Sequence, residues 1–480
     1  LMFAYDKWWS GELSVGSLAV LPISALSTDP EIGYLADSIT EGLIGELGRI
    51  EGLSVISRTS SNRYRTTDLG VPDIAGELGV DALIEGSVQP LDDALKIEVR
   101  LVDGSSDRQL WSGTYEPDWG GVRTAQGRIV RDVAETIRID LTPETEAQLA
   151  RHQEISPQAF RYWVLGNHHL FENDDEAYAN ALRAFHSALE FEPGFAEAYA
   201  GIAQVHAYQA GWFGSDSAAA ALPLAKEAAD KALKLDPGLA VAHYTLGIVR
   251  YYSWDWEGAE SAFRAGVRLS RSVSGFPGGS TGEVEFANFL AAMGRSVEAV
   301  AIAAEAVEID PHSTVPLNEL GLALELDGQT DAALKMYERA LAMDPNDIQT
   351  NAMMAHFLIR AGSPDEAIPY VEALAKATAP MSPTMQSQTA YLYGLIGRER
   401  RAGDVLELLE VQAESEYVPS VAFAFIYLGM GDHEETLNWL EAAYAERDIS
   451  LVWLRAAPWF DALRDYPRFR NLVARMNFPD

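Results

Sequence analysis

The chain has 480 residues and no cysteine, so disulfides, thiolate metal sites and cysteine nucleophiles are excluded. Its 71 Asp and Glu against 36 Lys and Arg give a formal charge of -35, which repels phosphate backbones and anionic lipid and disfavours nucleic-acid binding by this chain. With 48% hydrophobic residues it can bury several cores, and its acidic surface either keeps it soluble or marks a groove for a basic partner.

Leu1 to Trp9 is too short to span a bilayer, which takes about 20 apolar residues. Trp8, Trp9, Tyr5 and Lys7 crowd together as residues do at a membrane interface. Residues 1–14 therefore read as the end of a membrane tether or a linker, with a frayed terminus as the alternative. Ser17 to Ile23 is a continuous apolar run and predicts a buried strand. Ile32 to Ile50 predicts an amphipathic helix with Leu35, Ile39, Leu43, Ile44 and Leu47 on one side. A second strand follows at Leu53 to Ile56, then a short helix capped by Asp73 and ended by Gly79. Ala82 to Val88 predicts a third strand and Asp92-Asp93 a turn. Leu95, Ile97, Val99 and Leu101 alternate with polar residues, as in a strand with one wet face. Asp103-Gly104 turns the chain into Gln109 to Tyr115, and helix resumes from Trp119 to Leu141. The order β-α-β-α-β-β-β-α predicts a compact α/β domain with a mixed sheet over residues 15–145.

Beyond it the punctuation changes. Glu192-Pro193, Asp236-Pro237, Asp310-Pro311 and Asp344-Pro345 each close an Ala-rich amphipathic segment, because proline disfavours helical geometry in the residue before it. Leu317, Leu320, Gly321 and Leu324 share one face of a first helix; Ala333, Tyr337 and Ala340 share one face of a second. The same grammar recurs in Leu246, Gly247, Ala259, Phe263 and Gly266, in Ala287, Leu290, Ala299 and Ala306, and in Ala355, Leu358 and Ala367. Pro311 and Pro345 are 34 residues apart, the tetratricopeptide period. Such hairpins bury their apolar faces only by stacking, so residues 146–447 predict an all-α solenoid of about eight hairpins, the first two stretched by insertions. Leu451, Trp453, Trp459, Phe460, Leu463, Phe469, Leu472 and Met476 then form a dense apolar set, so residues 448–480 read as the cap of the last turn.

The ordered blocks Ser17 to Ile23, Tyr34 to Leu43, Leu53 to Ser61, Gly79 to Val88, Leu101-Val102-Asp103 and Gln109-Leu110-Trp111 resemble the TolB amino-terminal-like domain. Asp230 to Pro237, Tyr252 to Glu260 and Trp459 to Phe469 resemble the tetratricopeptide repeats that often follow that domain in bacteria. The resemblance implies the extracytoplasmic half of a membrane-anchored regulator. In that family the inner half is often a winged-helix DNA-binding domain, a nucleotide cyclase or a protein kinase. It imports no catalytic residues. Ser270 to Gly282 departs from the usual Asn-Pro-rich link between repeats, which predicts a Gly-rich bulge and an interruption of regular stacking.

Chemistry-bearing patterns are thin. Gly278 to Gly282 matches G-x-S-x-G, but a nucleophile elbow needs a strand before it, and the preceding residues read as helix and loop. The segment lacks the G-K-[ST] of a phosphate loop. His168-His169, with His152 and Asp174 near in sequence, is the one imaginable metal cluster, but adjacent helical histidines diverge by about 100°. No catalytic residue, metal ligand or cofactor is assigned. Trp254 and Trp256 straddle a repeat turn and read as packing between hairpins; Trp212-Phe213-Gly214 reads equally as contact site or cover. First helices line the concave face of such an array, and their register directs Gln204, Tyr208, Tyr244, Ile248, Tyr251, Asn288, Asn318, Glu325, His356 and Arg360 into the groove, with about half of them open there. Tyr and Asn suit reversible peptide binding.

The expected function is a non-catalytic interaction or sensory module, periplasmic or otherwise extracytoplasmic, tethered to the membrane through a segment before Leu1. It binds a peptide, a protein or a copy of itself. The alternatives are a freestanding envelope or filament scaffold, a cytoplasmic location, and, least, a hydrolase.

Overall fold

The structure, a computed structural model, describes residues 15–92, 94–150, 154–172, 175–211, 217–269, 281–378 and 382–479. The tether at 1–14, the Trp212-Phe213-Gly214 insertion, the G-x-S-x-G segment up to residue 280, His152 and Asp174 lie outside these residues. No helix among the described residues is long and apolar enough to cross a membrane. The chain divides into two compact units, Leu1–Val164 and Leu165–Asp480.

The first unit is α/β. Its strands are β1 (Ser17–Val20), β2 (Ser24–Ala25), β3 (Ser54–Val55), β4 (Ala82–Leu91), β5 (Ala94–Asp103) and β6 (Gln109–Tyr115). Its helices are α1 (Pro30–Leu47), α2 (Arg58–Asn62), α3 (Val71–Leu78), α4 (Val122–Ile137) and α5 (Pro143–Ala150). The sheet runs β3-β1-β4-β5-β6, with β2 also on β4. β1 pairs in parallel with β3 and β4, while β4-β5-β6 are antiparallel, so the sheet is mixed. Ala19, Leu83 and Val102 join Ile74, Ala75 and Leu78 of α3 in one core cluster. Leu18, Val20 and Ile84, their alternating neighbours, are also buried. Burial on both faces explains why β1 reads as an unbroken apolar run. α4 lies so close to α1 that a Cβ at Gly42 would sit 2.2 Å from Gln126 Nε2. Two details differ from expectation. The short helix is capped by Gly70, with Asp73 in its first turn rather than at its cap. The five-residue α2 was not foreseen, because Arg58 to Asn62 has no apolar period; Ser57 caps it by accepting from the Ser60 amide.

The second unit, with the helix that leads into it, is all-α. Its helices are α6 (Pro157–Glu172), α7 (Asp175–Phe191), α8 (Ala196–Gln209), α9 (Ala218–Leu235), α10 (Ala240–Tyr252), α11 (Trp256–Leu269), α12 (Gly282–Ala292) and α13 (Ser296–Ile309). They continue as α14 (Thr314–Leu326), α15 (Thr330–Met343), α16 (Ile348–Arg360), α17 (Pro364–Thr378), α18 (Pro383–Leu395), α19 (Glu399–Gln412), α20 (Ser420–Gly429), α21 (His433–Glu446) and α22 (Pro467–Arg475). α6 to α21 pair in sequence as eight hairpins among the described residues.

One contact recurs inside them. A glycine on the first helix faces an aromatic ring from the second: Gly166 meets Phe185, Gly247 meets Phe263 and Gly321 meets Tyr337, while Gly201 meets Phe185 of the hairpin before it. A Cβ at any of these would fall 2.4–2.8 Å from a ring carbon, closer than van der Waals contact allows. A second device sets the turn between the two helices. Gly294, Gly328, Gly362, Gly397 and Gly431 all have φ between 73° and 83°. The residue after each glycine donates its amide to the carbonyl five residues back, as in Arg295 to Leu290 (2.9 Å) and Gln329 to Leu324 (2.8 Å). This is the Schellman termination, which favours glycine because a Cβ is penalised there. The bulge expected at Ser270 to Gly282 falls mostly outside the described residues, but the helices that flank it are in contact: Phe263 of α11 lies 5.5 Å from Phe286 and 5.6 Å from Phe289 of α12.

Gly321→Ala should therefore destabilise the helical unit by about 1–3 kcal/mol, since the Tyr337 ring is fully buried and cannot retreat. Gly403→Ala, in α19 where an added Cβ meets nothing within 4 Å, should stabilise by about 0.4–1 kcal/mol. Urea titrations followed by circular dichroism of both variants check the pair, and equal effects would refute the close-approach argument.

Candidate docking face

The first helices α8 to α20 pack on one another in sequence and form a continuous inner face. Polar side chains tie neighbours across it. Tyr251 of α10 donates to Asn288 Oδ1 of α12 (3.3 Å), and Asn288 Nδ2 donates to Glu319 Oε2 of α14 (3.4 Å). Tyr244 of α10 donates to Glu283 Oε1 of α12 (2.9 Å), and Asn318 Nδ2 to Asp347 Oδ1 (3.3 Å).

Six of the ten residues expected in the groove are buried: Gln204, Tyr208, Tyr244, Ile248, Tyr251 and Asn318. The Gln204 amide donates to the Tyr208 hydroxyl (3.2 Å). Tyr244 fills the space above Gly266 and Gly282, and Tyr251 is enclosed by Tyr252, Trp256 and Phe289. About half of the ten were expected to be open; these six are closed, because the flank of each first helix faces its neighbour. Asn288, Glu325 and His356 are partly covered, and Arg360 is exposed. Arg360 of α16 forms an ion pair with Glu325 of α14, which also accepts from the Tyr337 hydroxyl (3.3 Å).

The inner face is further covered by the chain itself. Residues 449–479 form two short 3-10 turns, Ile449–Trp453 and Pro458–Leu463, and then α22. Leu451, Val452, Leu454, Phe460, Leu463, Phe469 and Leu472 are almost fully buried. Phe460 stacks on Phe425 of α20 (6.0 Å), and Trp459 lies 6.0 Å from His356 of α16. α22 is held against α21 by Arg468, which pairs with Glu434 (3.1 Å) and Glu441 (3.0 Å). The segment then reaches back 220 residues, where the Trp256 indole donates to the Met476 carbonyl (3.1 Å). Phe478 stacks on the same indole at 4.9 Å. Trp254 and Trp256, read as packing between hairpins, thus pack against residues from the far end of the array. Sequence reasoning missed this reach, because nothing local in Trp459 to Phe478 specifies what it covers.

Burial sets the charge states here. It pushes the carboxyls of Glu283 and Glu319 up to about 8 and that of Asp448 up to about 6. Burial, helped by the Arg360 charge, pushes the His356 imidazole down to about 3. Burial outweighs the Tyr244 and Thr281 hydrogen bonds that favour the Glu283 carboxylate and the Asn288 bond that favours that of Glu319, so both carboxyls hold their protons to higher pH.

His168, His169 and Glu172 bring three potential ligand atoms within 4.8 Å of one another. Both imidazoles face the Glu172 carboxylate, at 3.7 and 2.8 Å, as i,i+4 and i,i+3 spacing on a helix produces without any ion.

Residues 324–386 match the tetratricopeptide repeat family model. A protein named "Putative adenylate cyclase 3" from Rhizobium meliloti (strain 1021) is 32% identical over 218 residues, 45% of this chain and 37% of that relative. The formate-dependent nitrite reductase complex subunit NrfG of Escherichia coli O157:H7 is 34% identical over 105 residues, 21% of this chain and 51% of the relative. The chain thus spans about half or less of the curated relatives it matches. Among solved structures, YrrB, described as a TPR protein with an unusual peptide-binding site, shares 20% identity at a TM-score of 0.29, over 42% of this chain and 94% of that one. PilF of Pseudomonas aeruginosa shares 17% identity at a TM-score of 0.35, over 48% and 97% of the two chains.

The raised carboxyls predict a pH dependence. Folded Glu283 and Glu319 keep their protons to about pH 8, whereas unfolded glutamate releases its own near 4.5. The folded state binds more protons across that window, so stability falls as pH rises through it. His356 acts oppositely: unfolded histidine gains a proton below about 6.5 and the folded ring does not until about 3, so stability falls as pH drops between them. Glu319→Gln should therefore flatten the fall in Tm between pH 5 and pH 8 that the parent shows in calorimetry, conditions that bracket most of the carboxyl window. An unchanged slope would remove Glu319 as its source.

With the hairpins, their glycine turns and the matched stretch in agreement, this chain is a protein that contains tetratricopeptide repeats.

Proposed function

We propose that the chain is a polypeptide-binding regulatory module, the extracytoplasmic part of a membrane-anchored bacterial regulator. The observation that carries this reading is the continuous face along which the first helices α8 to α20 pack on one another in sequence. Repeat arrays present such faces to extended partners. Asn288, Glu325, His356 and Arg360 are the members of the expected groove set that retain some surface, and they are the proposed contact positions. The order and pairing of the first unit fit a TolB amino-terminal-like domain. The Rhizobium relative, named as an adenylate cyclase, supports a regulatory setting in which partner binding is passed to an effector. The chain itself is proposed as non-catalytic.

A photo-crosslinking amino acid at position 360 tests the face directly. It should capture a polypeptide in native cells, whereas the same probe at Val297, 72% exposed on the second helix α13, should not. Capture at 297 alone would move the site off the inner face. Fractionation tests the anchoring: the chain should sediment with membranes and be cut by protease added outside the inner membrane, and a soluble, protected chain would reject it.

A further inference from the structure

We propose that residues 449–479 are a resident ligand of the inner face, and that the external partner is a basic, aromatic-bearing polypeptide segment that competes with them. This rests on the inner face being the docking surface. The first observation is charge. In a chain of formal charge -35, residues 449–479 carry five arginines and no lysine or glutamate, against Asp461 and Asp465. This net-positive stretch lies on an array dominated by carboxylates, as Arg468 between Glu434 and Glu441 shows. Charge complementarity of this kind sets register and partner choice.

The second observation is the corner that receives the segment. Five hairpins use glycine at the left-handed turn position; the α10–α11 hairpin uses Trp254, at φ 65°. The following amide, Asp255, donates to the Arg250 carbonyl (2.9 Å), so the turn is the same one. A bulky residue there is strained, and strain kept against an available glycine marks a site where the side chain is needed. The Trp254 ring lies 5.2 Å from Tyr444 and beneath the Arg447 guanidinium at 4.8 Å. Arg475 covers the other ring of the pair, 3.9 Å from Tyr444. The two rings lie in a row between the two guanidiniums; Tyr444 and Arg447 belong to α21 and its cap, and the segment itself supplies Arg475, the Met476 carbonyl on Trp256 and the Phe478 ring. A backbone carbonyl, a stacked ring and a guanidinium are features any extended basic peptide can supply.

The third observation is that the end is held at the surface. Phe478 is only half-buried and Asn477 and Pro479 are exposed; besides the hydrogen bond and stacked ring on Trp256, the Tyr444 hydroxyl donates to the Arg475 carbonyl (3.4 Å) and Arg455 of the segment itself to the Pro479 carbonyl. Release can begin there while the apolar residues from Leu451 to Leu472 remain in place.

The test uses the full chain and a fluorescent synthetic peptide with the sequence of residues 449–479. The parent should bind it weakly. The variant Phe478→Ala should bind at least tenfold tighter by anisotropy, because the resident ring on Trp256 is gone while the site that receives it is unchanged. A peptide with its arginines changed to glutamate should not bind. In hydrogen exchange on the parent, residues 473–479 should open first and the rest of 449–479 next, still before α14 and α15. If the variant keeps its circular dichroism yet does not bind the peptide, or if the segment exchanges as slowly as α14, the segment is permanent core and the proposal falls. The crosslink at position 360 would then still stand or fall on its own. Equal binding of the acidic peptide would overturn the charge assignment, and a variant that dimerises by exchanging the segment would make a second copy the occupant and overturn competition by an outside partner.

Discussion

The helical unit depends on one contact, a glycine on a first helix lying against the aromatic ring of its partner. Where Gly247 meets Phe263 and Gly321 meets Tyr337, the absent Cβ lets the ring fill the space between two backbones. The ring then contributes its full area to burial, and the helices approach closely enough for alanines such as Ala333 and Ala340 to seal the rest. Where the aromatic is missing the backbones themselves close up: a Cβ at Gly394 of α18 would lie 2.2 Å from the Gly429 carbonyl of α20. That direct approach of α18 to α20 leaves α19 with only Ala402 and Leu409 fully buried, and Leu408 and Val411 outside.

Much of this was legible because each rule is local. Asp310-Pro311 and Asp344-Pro345 mark helix ends through the steric effect of proline on the residue before it. The glycines at 294, 328, 362, 397 and 431 repeat every 34 or 35 residues for the same kind of reason, a backbone angle that favours a residue without Cβ. In the first unit, alternation in β5 and the apolar run of β1 gave their burial directly. α2 escaped because a five-residue turn of Ser, Thr, Arg and Asn is fixed by a cap and by its surroundings, not by an apolar period.

The inner face was less legible, for a reason that is physical rather than statistical. Helical register tells which side of a helix a residue occupies, but not what lies against that side. Tyr244 and Tyr251 do leave their helices away from the hairpin's own second helix, as the register says. They then meet α12 instead of water, and Glu283 and Asn288 are there to receive their hydroxyls. The polar residues that suggested ligand contacts are the ones needed to satisfy hydroxyls buried between first helices. A sequence pattern for gripping a peptide and one for tying helices together share the same Tyr and Asn.

The solenoid also has to end, and here the ending and the inner face become one problem. A repeat array exposes the apolar side of its last hairpin, and a short polar helix would be enough to cover it. Residues 449–479 do more: they run from α20 and α21 to the turn between α10 and α11, which brings hairpins far apart in sequence under one cover. The helices between those ends are already ordered, so docking the end fixes only its last few residues, and a modest set of contacts at Trp256 and Tyr444 can hold it. The docked end exceeds a free one by little more than those contacts supply. At that corner Trp254 holds the left-handed turn that glycine holds in five other hairpins, and its ring lies against Tyr444 and Arg447 at the end of α21. The fold thus places a strained turn where hairpins far apart in sequence meet.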